Sequence, residues 1–93
     1  MYTLAIFAGE GVYMRFTDVL RAASLESGVS LRAIGQAVGR APAYGPGVVS
    51  RGTDPSTATA AALIEPCGYV LAAVPASQPL PPGSMVIDPR PAG

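Results

Sequence analysis

The segment Val29 to Gly52, VSLRAIGQAVGRAPAYGPGVVSRG, restricts this chain more than any other stretch, because its glycines and prolines leave few ways to run a backbone. Ser30 is placed to cap a helix, its side-chain oxygen accepting from the free amides of the first turn. Leu31, Ile34 and Val38 then recur at spacings of three and four and give that helix one apolar face. Gly39 follows the last apolar position, where a left-handed residue closes a helix without a steric penalty. Arg40-Ala41 makes a turn of three or four residues, and Pro42 suits the first position of a new helix because its missing amide would be unpaired anyway. Pro46 complicates that second helix. If the helix begins at Pro42, Pro46 removes an interior hydrogen bond and crowds the carbonyl of residue 42. Gly45 and Gly47 each weaken a helix by about 1 kcal/mol relative to Ala. The helix is therefore either kinked, or begins late near Pro46 with Ala41 to Gly45 as a turn.

Composition limits what this segment can serve. The 93 residues suit one small domain, and the apolar residues include much alanine, two Phe, four Tyr and no Trp. So small a chain buries only about two-thirds of its unfolded surface. Help from a second copy is consistent with that count. Net charge is zero, which does not mark a nucleic-acid binder. The distribution says more than the sum. All six basic residues are Arg, and Arg32, Arg40 and Arg51 fall between Glu26 and Asp54 with no acid among them. A neutral chain can present a phosphate-binding face in this way, or the segment can be a solvated helix surface.

Several chemistries lack their residues. There is no His and a single Cys67, so no structural zinc site, cofactor or disulfide is expected, and Cys67 reads as a small buried apolar residue. Ser24, Ser27, Ser56 and Thr59 have no histidine to activate them. Asp18, Glu26 and Glu65 are not spaced as a catalytic carboxylate pair, and no GxxxxGK[ST] motif occurs. An enzyme is not expected. No apolar run approaches the roughly twenty residues of a membrane span, and the N-terminus lacks the basic flank of a secretory signal, so a cytoplasmic location is the expectation.

Taken in order, residues 1–13 form an extension that is either a loosely held tail or a strand over Tyr2 to Phe7. Thr17 is expected to cap a helix from Asp18 to Ser27, with Phe16, Val19, Leu20 and Ala23 as its apolar stripe and Gly28 as its stop. After the central segment, Asp54 or Ser56 opens a further helix through about Glu65, tightened at Pro66 and closed by Gly68. Tyr69 to Val74, YVLAAV, is β-prone and bounded by Gly68 and Pro75, and reads as a strand. A second strand is possible over Met85 to Asp88, and the final PRPAG is expected to be disordered.

The motifs VSLRAIGQAVGR and SRGTDPST, with GYVLAAVP after them, resemble the small lambda-repressor-like, Xre-type helix-turn-helix proteins over roughly Phe16 to Val74. The two central helices across a glycine turn correspond to that motif. The resemblance implies an all-α fold, a small four-helix helix-turn-helix domain with a short C-terminal β-strand or hairpin, spanning residues 14–75 and followed by a Pro-rich tail over 76–93. It also implies a dimeric transcriptional regulator on double-stranded DNA. In antitoxin-type members the C-terminal strands pair across a dimer, which raises a second expectation: a protein-interaction subunit that neutralises a toxin-like partner. Carried over residue by residue, Ser30, Arg32 and Gln36 lie on the helix that contacts phosphate. The groove-entering helix holds Ala41, Pro42, Ala43, Tyr44, Pro46 and Gly47, of which only Tyr44 has a hydrogen-bonding side chain, so base readout is weak. Arg40 and Arg51 complete the expected DNA-contacting set. Tyr44 has two readings, a DNA contact or a packing anchor.

Overall fold

The computed structural model describes residues 13–52 and 54–88, of Tyr13 the backbone alone. The expectations for the strand over Tyr2 to Phe7 and for the final PRPAG lie outside those residues. Within them the chain is mostly helical: β1 (Tyr13–Met14), α1 (Phe16–Ser27), α2 (Leu31–Ala37), α3 (Tyr44–Arg51), α4 (Thr57–Ile64), a 3-10 turn (Glu65–Cys67) and β2 (Val86–Ile87).

Helix α1 carries the core. Phe16, Val19, Leu20 and Ala23 are buried along the stripe that its spacing predicts. Its start differs from expectation. Thr17 does not cap the helix but lies in its first turn and is buried, while extended Arg15 precedes Phe16 and accepts the first amide bonds from Asp18 and Val19. Burial of the Phe16 ring draws the helix start two residues earlier than a polar cap would set it. Around α1 gather Ile34 of α2, Val48 of α3, Leu63 and Ile64 of α4, and Cys67, which is buried as expected.

Local signals set most boundaries. Ser30 Oγ accepts from the Ala33 amide at 3.0 Å, and Ser56 Oγ accepts from the Thr59 amide at 3.3 Å, so Ser56 rather than Asp54 opens α4. Asp54 instead takes the Arg15 guanidinium at 2.7 Å, tying the start of α1 to the loop before α4. Gly39, at φ +80°, closes α2 with the Arg40 amide bonded to Gly35 O and its own amide to Gln36 O, the paired bonds of a Schellman end. The same two bonds close the 3-10 turn, from Tyr69 to Ile64 O and from Gly68 to Glu65 O. Pro66 accordingly tightens the end of α4, as its missing amide requires.

Helix α3 resolves the proline problem. It begins at Tyr44, so the turn runs over residues 38–43 and is longer than three or four residues. Pro42 stands in that turn and not at the head of a helix. Pro46 is the third helical residue, where the amide it lacks would have no partner inside the helix, and residue 42 lies outside the helix. Proline thus breaks no interior bond. Val48 is buried and Val49 packs against the core, as their positions predict.

The C-terminal region departs most from expectation. Tyr69 to Val74 forms no strand, and no hairpin occurs among the described residues. Residues 70–74 are exposed and make no backbone hydrogen bond among the described residues, where no neighbouring strand lies beside them. Among the described residues one strand pair forms, joining β1 to β2 in parallel with Tyr13 opposite Val86 and Met14 opposite Ile87. β2 falls within the Met85 to Asp88 stretch read as a second strand, and Met85 and Ile87 rest on the core.

Candidate nucleic-acid interface

The residues that could meet a phosphate backbone are placed by the way α2 and α3 cross. Two glycines permit that crossing. A Cβ on Gly45 would run into the Leu31 carbonyl, and one on Gly35 would sit 2.8 Å from Ala41 O and 3.2 Å from Gly45 N. Neither obstacle can move, since both are backbone. Gly45 is therefore the contact that lets α3 lie on α2, a role that its helix-weakening propensity conceals. Gly47 differs: a Cβ there would meet only the Arg51 guanidinium, whose Nη1 lies 2.8 Å from that position.

Arg32 and Gln36 are one turn apart on α2 and both are exposed. Ser30, just before them, has its oxygen engaged by the Ala33 amide, so its shown role is the cap. Arg40 stands exposed in the turn, and its guanidinium carbon lies 4.8 Å from the centroid of the Tyr44 ring. That is cation–π distance. Tyr44 is half-buried and packs against the core, so the packing-anchor reading holds for it. Arg51 ends α3, two turns and about 10 Å along the axis from Tyr44, so the structure brings Arg40 and Tyr44 together but not Arg51 with them. The exposed side chains of α3 that can hydrogen-bond are only Ser50 and Arg51.

Charge is partitioned unevenly. Arg15 pairs with Asp54, and Arg21 pairs with Asp18 at 3.4 Å. Arg32, Arg40 and Arg51 form no ion pair among the described residues. Among the described residues, the guanidiniums left without a carboxylate are thus those of the acid-free central segment.

A cleft of about 200 Å³ opens beside Arg40 and Tyr44, walled by Val38 and by Thr59, Ala62 and Leu63 of α4. Sequence spacing does not find it, because α4 is remote from the turn and only tertiary packing joins them. Among the described residues no group of three or more His, Cys, Asp or Glu side chains converges to hold a metal ion, and no helix is long and apolar enough to cross a membrane. Comparison with protein-family models, curated proteins and solved structures finds no significant match.

Proposed function

We propose that this chain is a DNA-binding transcriptional regulator of the lambda-repressor-like helix-turn-helix type, acting as a homodimer on an operator. One observation carries the reading: Arg32, Arg40 and Arg51 are exposed, have no carboxylate partner among the described residues and belong to the α2–turn–α3 unit. Their contacts are with phosphates. Gln36 lies beside Arg32 as a further polar contact, and the Ser30 cap holds the start of α2 in place. Base-edge contacts are few, because α3 offers only Tyr44, Ser50 and Arg51 as hydrogen-bonding side chains. The regulator is accordingly semi-specific, with affinity dominated by the backbone.

Fluorescence anisotropy on duplex DNA across a salt series tests this reading. Three phosphate contacts give a log–log slope of about −2.7 per protomer, roughly −5.4 for a dimer. Arg32→Ala should make that slope shallower by about one per protomer and weaken all duplexes alike. Absence of salt-sensitive binding to any duplex would sink the proposal.

The second reading is an antitoxin-like subunit that neutralises a partner protein. Its support is the exposed, irregular segment Val70–Val74, with Val70 at 83% exposure and its backbone groups unpaired among the described residues. Such a segment can add a strand to another chain, whether a toxin-like partner or a second copy. Co-purification separates the readings: a stoichiometric protein partner favours this one, and a homodimer on DNA favours the first.

A further inference from the structure

The cleft between the α2–α3 turn and α4 has a chemistry distinct from that of the open arginine surface. Its accessible walls are apolar: Val38, Ala58, Ala62 and the Tyr44 ring, with Leu63 buried behind them. Two polar groups face the same space. One is the Arg40 guanidinium, which has no counter-ion among the described residues and lies over Tyr44 at 4.8 Å. A guanidinium presents an N–H fork whose geometry matches a carboxylate, and no hydrogen bond or ion pair among the described residues occupies that of Arg40. The other is Thr59. Its Oγ1 accepts from the Ser56 hydroxyl at 3.0 Å, so its own proton remains to be donated. No acidic side chain lines the cleft.

We infer that this cleft binds a small organic monocarboxylate with a compact apolar body. The carboxylate would lie on the Arg40 fork and the Thr59 hydroxyl, and the body against Val38, Ala58 and Ala62. Volume sets the size: about 200 Å³ falls below the roughly 300–1,000 Å³ of sites for larger ligands. One cation and one hydroxyl balance a single negative charge, and the apolar walls disfavour a doubly charged phosphate. The cleft shares Arg40 with the proposed phosphate contacts, but the inference does not rest on DNA binding and is tested without DNA.

Amide-resolved NMR titration of the full chain without DNA tests it, with benzoate, benzamide, acetate and inorganic phosphate as probes. Benzoate should shift the amides of Val38, Arg40, Thr59 and Ala62 saturably. Benzamide, which lacks the charge, acetate, which lacks the body, and phosphate should each bind at least tenfold more weakly. Arg40→Gln and Thr59→Val should each weaken benzoate about tenfold, the scale of a lost charge-assisted hydrogen bond. Ala62→Leu, which fills the cleft from an exposed position, should abolish binding while leaving the remaining spectrum in place. The inference is overturned if benzoate gives no saturable shift, if any of the other probes matches it, or if Arg40→Gln binds it unchanged.

Discussion

Helix α3 and the segment Val70–Val74 are both short, partly apolar and fenced by glycine and proline, yet they end in opposite states. Three of the eight residues of α3, Gly45, Pro46 and Gly47, disfavour a helix, and a helix forms. Val70–Val74 holds good strand formers between Gly68 and Pro75, and no strand forms. What separates them is a neighbouring surface. Helix α3 has the backbone of α2 beneath Gly45 and the core beneath Val48, whereas residues 70–74 have no strand to pair with among the described residues. Propensity is a weak term that packing overrides in the first case and cannot replace in the second.

Substitutions at three positions press on that contrast. The largest effect is expected for Gly45→Ala, which sets a Cβ against the Leu31 carbonyl; chemical denaturation should find a loss of about 3 kcal/mol, the upper end for overpacking. Gly47→Ala, two residues on, meets only the movable Arg51 end and should raise stability by about 0.5–1 kcal/mol through better helix propensity. Similar losses at both glycines would show that the backbone approach at Gly45 is not what holds α3. The smallest effect belongs to Val70→Asp, which should leave the stability of the monomer within about 0.5 kcal/mol, since no packing is lost there. A large destabilisation of the monomer would mean that the segment is already partnered within the fold.

The same contrast explains how much could be read from the residues alone. Ser30, Gly39 and Gly68 act within one helical turn of themselves, and all three do what local chemistry predicts. The apolar stripe of α1 is equally plain, because helical spacing alone defines it. Thr17 misled, since capping chemistry is local but the pull of the buried Phe16 ring is not. Gly45 misled more, because a glycine that weakens a helix and one that admits a neighbouring backbone look identical in a sequence. At the candidate interface, the unpaired state of Arg32, Arg40 and Arg51 was foreshadowed by the absence of acids near them in the chain. That Arg15 would be neutralised by Asp54, 39 residues away, had no such signal. The cleft was likewise invisible, for Thr59 and Ala62 reach Arg40 only through the packing of α4.

The parallel pairing of β1 with β2 has a consequence in time. Its partners stand near opposite ends of the described chain, so closing it costs more entropy than any contact between neighbouring helices. It returns only a few hydrogen bonds, among them Asp88 N–H to Met14 O at 2.8 Å. A chain emerging from the ribosome can assemble α1 to α4 well before residue 87 appears, leaving this clasp to close last and open first. The Asp88 amide should therefore exchange with solvent faster than the hydrogen-bonded amides of α1, and exchange as slow as theirs would place the clasp within the main cooperative unit.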